Sequence, residues 1–129
     1  GFIGQTGYGS GVYYGYVAIN VDLLIKNLGG DADLAARAIE AFARAFATVT
    51  PSGKINSFAN HGRAGFLLAE SGDQAPRSLS GAFLKPVRED SGDMMAASIA
   101  ALTALRTKMD TAYGPLSDAS VVMNIETGE

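Results

Sequence analysis

The chain has 129 residues, no cysteine, one histidine and a formal net charge of −3. That length suits about one domain and can bury roughly two-thirds of its unfolded surface. The composition excludes disulfides, thiolate metal sites and cysteine nucleophiles, fits a reducing cytosol, and supplies no globally basic surface for nucleic acid.

Glycines at 4, 7, 9, 11 and 15 loosen the N-terminal stretch. Val12 to Ile19 then alternates, with Tyr14, Tyr16 and Ala18 on one face and Tyr13, Val17 and Ile19 on the other. This is a strand pattern with aromatics on both sides. Asn20 suits the cap of a short helix through Leu28, which Gly29 and Gly30 end. Asp31 or Asp33 starts a second helix reaching about Val49. Its apolar stripe is Ala35, Ile39, Phe42, Phe46 and Val49, and Glu40 and Arg44 form an i,i+4 pair on the solvated face.

Pro51 closes that helix, and residues 51–63 read as a loop. Gly65 to Ser71 reads as a strand, Gly72-Asp73 with Pro76 as a turn, and Leu79 to Val87 as a second strand ended by Pro86. Ser91 or Asp93 caps a helix to about Ala112, striped by Met95, Ile99, Leu102, Leu105 or Arg106, and Met109. Ala119 to Ile125 is a last short strand. The order matches the split βαβ arrangement of ferredoxin-like domains, an α+β class that also holds the RNA-recognition fold. Many functions share it, so the fold alone decides little.

No apolar run approaches the roughly 20 residues of a membrane span, and no signal-peptide pattern is visible. A cytoplasmic location is the expectation. Gly1 is not a methionine, so the chain reads as processed or as part of a longer polypeptide.

Few residues carry chemistry. His61 lies in a polar loop without a nucleophile-elbow sequence, so a surface histidine is favoured over a catalytic one. The acid pairs Asp31/Asp33 and Asp90/Asp93 each flank a helix start, where capping explains them better than metal binding. Gly7-Tyr8-Gly9-Ser10-Gly11 precedes a strand instead of following one, which fits neither dinucleotide nor P-loop spacing. No catalytic constellation forms, so the chain is expected to be non-enzymatic, with no cofactor and no metal. Lys54 sits between Gly53 and Asn56-Ser57, with Arg63 near in sequence. A solvated loop lysine is the simpler explanation. A phosphate contact, with backbone amides and side-chain donors alongside, is the functional one.

Three ordered blocks carry a family resemblance. They are Gly11–Gly30 around Tyr13-Tyr14-Gly15-Tyr16, Pro51-Ser52-Gly53-Lys54-Ile55-Asn56-Ser57-Phe58-Ala59, and Leu79-Ser80-Gly81-Ala82-Phe83-Leu84-Lys85-Pro86-Val87. The chain resembles the C-terminal part of CasC, the repeated backbone subunit of type I-E CRISPR Cascade. Two positions depart from the family pattern: Gly15 stands where arginine is usual, and Ile55 where glutamine is frequent.

The resemblance implies a ferredoxin-like palm, an antiparallel sheet with helices on one face, of which this chain covers part. Residues 1–129 would form a single domain of a longer subunit, and residues 1–11 the return limb of its thumb insertion. The tyrosine strand would be palm core. The implied function is structural, in antiviral defence: polymerisation along a guide RNA (crRNA). Lys54 would contact phosphate, Asn56 and Ser57 would donate hydrogen bonds, and His61 and Arg63 would join the RNA site. Implied partners are guide RNA, neighbouring copies, other Cascade subunits and a separate chain supplying the N-terminal part, with no membrane. The rival from another class is a ferredoxin-like module for protein assembly or small-ligand binding, favoured by the acidic charge and by tyrosines that pack as readily as they stack.

Overall fold

The computed structural model describes residues 9, 11–50, 53, 59, 61–88 and 92–128. The fold is α+β, with a two-stranded antiparallel sheet and three α-helices among the described residues, consistent with a small fold of the ferredoxin-like kind. The chain divides into two compact units. Unit 1 is Gly1–Tyr16 with Arg77–Gly114, and unit 2 is Val17–Pro76 with Pro115–Glu129.

Unit 2 begins with α1, Val21–Asn27. The Asn20 side chain accepts from the Leu23 amide at 2.8 Å, satisfying one free donor of the first turn. Gly29 and Gly30, at φ +70° and +91°, fold the chain back. The Gly30 amide bonds the Ile25 carbonyl at 2.9 Å and the Gly29 amide bonds Lys26 at 3.1 Å. This paired closure needs a left-handed residue after the helix, which glycine adopts without a Cβ penalty. Asp31 then caps α2, Ala32–Thr48, by accepting from the Leu34 amide at 2.8 Å. The Glu40–Arg44 pair forms at 2.8 Å on the solvated face. Both groups stand mostly in water, so it contributes a few tenths of a kcal/mol.

Strands β1, Phe66–Ser71, and β2, Ala119–Asn124, pair antiparallel from Phe66 opposite Asn124 to Ser71 opposite Ala119. The ladder is extended at both ends, by the Asp118 amide to Ser71 and the Ile125 amide to Gly65. Gly72 closes against it. A Cβ at Gly72 would meet the Asp118 amide nitrogen at 3.1 Å and its carboxylate at 3.0 Å, so only glycine fits without a shift.

In unit 1, Asp93 caps α3, Met94–Tyr113, by accepting from the Met95 and Ala96 amides. Leu102 and Ser98 are buried on its inner face, and Met95, Ile99, Leu105 and Met109 are half-buried beside them. The stripe expected from sequence is therefore the packed one. Arg77 reaches this helix and pairs with Asp110 at 2.6 Å, its side chain only 5% exposed.

Two expected strands are not found among the described residues. Leu79–Val87 contains a 3-10 turn, Ser80–Phe83, in place of a strand. Leu79, Ala82 and Phe83 sit at i, i+3 and i+4, and all three are turned inward, a helical spacing read as alternation because Val, Leu and Phe also favour strands. The Ser78 hydroxyl, accepting from the Ser80 amide at 3.3 Å, starts the turn. Val12–Ile19 has no ladder hydrogen bonds among the described residues, because β1 and β2 pair only with each other there. Instead the Tyr14 hydroxyl accepts from the Leu79 amide at 3.0 Å, and its ring lies 5.6 Å from that of Phe83.

Two core assignments also change. Tyr13 is 84% exposed and Tyr16 47%, so of the tyrosine cluster Tyr14 alone is held by packing. On α2 the buried apolar residue is Ala35, while Phe42, Phe46 and Val49 at the C-terminal end of the stripe stay exposed. Phe42 and Phe46 satisfy each other in part by stacking at 5.9 Å.

Candidate nucleic-acid interface

The segment between α2 and β1 holds every residue singled out as an RNA contact. Lys54, Asn56 and Ser57 lie outside the described residues. His61 and Arg63 are described, and both are exposed on the limb that returns toward β1. No membrane-spanning helix exists among the described residues.

The base of the loop is well defined. The Ala64 amide donates to the Ala47 carbonyl at 2.9 Å, and the Val49 amide to Ala45 at 2.8 Å. The first bond ties the loop's return limb to the last turn of α2. The Ile125 amide, bonding Gly65 at 3.1 Å, then ties the next residue to the end of β2. The excursion therefore leaves and re-enters the fold at one point, and Lys54, Asn56, Ser57, His61 and Arg63 all belong to it. Loops carried on a pinned base commonly hold binding residues. Ala59, within it, takes a left-handed φ of +49°, a conformation that costs a non-glycine residue roughly 1 kcal/mol.

Electrostatics cut two ways. The segment leaves from the C-terminal end of α2, where the helix dipole gives a partial negative charge that repels phosphate. The last turn of α2 has no basic residue to offset it. Cations must therefore come from the loop itself, and the charge order along the chain supplies them. Between Glu40 and Glu70 there is no carboxylate, while Arg44, Lys54 and Arg63 all fall in that window. Arg44 is engaged by Glu40, which leaves Lys54 and Arg63 as the cations of the loop. Net charge concealed this signal. The spacing between successive acids reveals it.

A family model described as CT1975-like protein (Cas_CT1975) matches residues 1–129. The chain belongs to the CT1975-like family of CRISPR-associated proteins. No curated protein matches it. Membership in this Cas family gives the chain a CRISPR-related role. It is a coarser assignment than the resemblance to the type I-E CasC subunit.

Proposed function

We propose that this CT1975-like protein is a non-enzymatic structural subunit that binds the guide RNA of a CRISPR interference complex, in the manner of the type I-E Cascade backbone, and polymerises along it. The observation that carries the reading is the carboxylate-free loop. In an acidic chain of a Cas family, Lys54 and Arg63 share one carboxylate-free segment of sequence with Asn56, Ser57 and His61, and its two ends are tied by the Ala64–Ala47 bond. Lys54 and Arg63 would neutralise phosphates. Asn56, Ser57 and loop amides would donate to phosphate oxygens, setting position without reading sequence.

The test is repeat-containing RNA titrated against wild type and Lys54→Ala across a salt series. Each phosphate neutralised on single-stranded RNA contributes a slope of about −0.7 in log affinity against log salt. Lys54→Ala is expected to weaken binding and to flatten that slope by about this amount. An unchanged affinity and slope removes the loop from the RNA site.

A protein-assembly module is the second reading, favoured by the apolar ridge of Phe42, Phe46 and Val49 left open on α2. Light scattering separates the two. RNA-dependent assembly supports the subunit reading, and closed oligomers formed without RNA support the module.

A further inference from the structure

One segment of the chain has the form of a strand without a ladder. From residue 11 to residue 20 the backbone runs without a turn or a bend, and no residue in it takes a positive φ. Every residue of the run is exposed. The backbone N–H and C=O groups of residues 12–19 bond no described residue. Tyr14 fastens the run to unit 1 through its side chain, which leaves that backbone free.

The sheet of unit 2 has the opposite want. Two strands alone are marginal in water, and three or more make a stable sheet. The register fixes which groups face outward. The Ile125 amide bonds Gly65, the pair next to Asn124 and Phe66, so by antiparallel alternation Met123, Val121 and Ala119 bond across to β1. Asn124, Val122 and Ser120 then turn their backbone groups to the outer edge of β2. The Asn124 carbonyl agrees, since it accepts from the Gly128 amide at 3.0 Å. The outward groups of Ser120 and Val122 have no partner among the described residues. Charge separates the two edges of the sheet. β1 carries Glu70, whereas neither β2 nor Val12–Ile19 carries a charge. Charged side chains are how natural edges refuse another strand, so β2 is the receptive one. Val121, 70% exposed, offers an apolar flank to the side chains of an added strand.

We propose that β2 of one copy accepts Val12–Ile19 of a second copy as a third strand, in a head-to-tail contact. The chain itself supplies the occupant: an uncharged extended run of eight residues for an edge of six. Each copy brings one donor run and one acceptor edge. These are different surfaces, so the contact is heterologous and repeats from copy to copy. The proposal rests on the polymerising reading above and names the surface by which neighbours join.

The chain has no cysteine, so introduced ones report alone. The 129-residue chain is made as Tyr13→Cys and, with an affinity tag, as Val121→Cys, both at exposed positions. Mixed and treated with a short flexible bismaleimide, they are expected to give a cross-linked pair holding one of each, above the yield from either alone. The doubly substituted chain is expected to give a ladder of multimers that lengthens with repeat-containing RNA. Ser120→Pro removes an outward amide and spares the bonds to β1. It is expected to lower the yield of mixed pairs roughly tenfold, the effect of losing about one ladder bond. Val17→Pro with Ala18→Pro acts from the donor side, where no described residue bonds the amides it removes, and is expected to lower the yield likewise.

No mixed pair above the single-chain background overturns the proposal, as does a yield that both proline variants leave unchanged. A doubly substituted chain linked only within itself assigns Val12–Ile19 to its own sheet, and a ladder that stops at two copies contradicts head-to-tail order. Either result overturns it. The RNA reading is judged apart from these. Repeat RNA bound through Lys54 without mixed pairs sinks the strand contact alone. Mixed pairs in a chain that binds no RNA keep the contact and sink the guide-RNA function.

Discussion

Tyr14 and Arg77 show how two side chains from strand-like or loop-like sequence organise unit 1. The Tyr14 hydroxyl takes the Leu79 amide where the chain turns into the 3-10 segment, and Leu79 is only 5% exposed. Tyr14→Phe keeps the ring against Phe83 but leaves a buried amide without its acceptor. It is expected to cost about 1–2 kcal/mol, read as a lower urea midpoint. Arg77 and Asp110 hold the start of the same segment against α3 through a bond of 2.6 Å. Asp110→Ala takes a carboxylate away from a guanidinium that is 5% exposed, whereas Asp110 itself is 33% exposed. The loss is therefore expected at roughly 2–3 kcal/mol, below the range for leaving a buried charge uncompensated. If Arg77→Met combined with Asp110→Leu recovers stability that Asp110→Ala loses, the cost lies in burying the charge without this carboxylate. If it does not, the pair itself specifies the packing.

The helices follow their end signals closely, because those signals are local. Asn20, Asp31 and Asp93 each accept an amide two or three residues on, and each precedes the helix it starts. These contacts require only the backbone within one turn, so chain order suffices to find them. The end of α3 is as strict. Gly114 has φ +83° and ψ 172°, a region essentially closed to residues with a Cβ, so Gly114→Ala is expected to cost about 1–3 kcal/mol. Since nothing lies within 4 Å of a Cβ there, the loss would come from backbone strain alone. Thermal unfolding should then show Gly114→Ala and Gly114→Ser equally destabilised, and a large difference between them would point to a packing clash. Strands behave differently. Phe66–Ser71 and Ala119–Asn124 were legible and pair with each other, but Val12–Ile19 has the composition of a strand without a ladder among the described residues. A strand needs a second strand, and periodicity says nothing about its supply.

Each unit is held by few buried apolar side chains among the described residues: Leu79 and Leu102 in unit 1, Ala35 in unit 2. Cores this small leave stability near the low end of the usual 5–15 kcal/mol. A ligand that binds the folded chain alone should then raise its melting temperature visibly. At a free RNA concentration about a hundred times the dissociation constant, linkage adds about 2.7 kcal/mol. The expected outcome is a melting temperature that climbs with guide RNA and falls back when salt is raised. A melting temperature indifferent to RNA at all salt concentrations contradicts the subunit reading. Charge is divided to match. The acids concentrate in unit 2, yet the sequence from 41 to 69 is free of them, so a net charge of −3 coexists with a stretch of chain that carries only basic charges.

Read as a chain of residues, the protein already discloses its α+β class and, among the described residues, its three capped helices and the two strands that pair. All of these depend on neighbours within a few positions, or on side-chain types that stay visible in linear order. Tertiary contacts settle the rest. The amide of Leu79 makes Tyr14 a structural acceptor, while Tyr13 beside it stands out into solvent. Asp110 finds Arg77 from 33 positions away. Leu79–Phe83 curls into a turn because three apolar side chains face inward together, although the same residues fit a strand pattern equally well. Partners distant in sequence decide which of two locally acceptable conformations forms, and which of two adjacent tyrosines stays exposed.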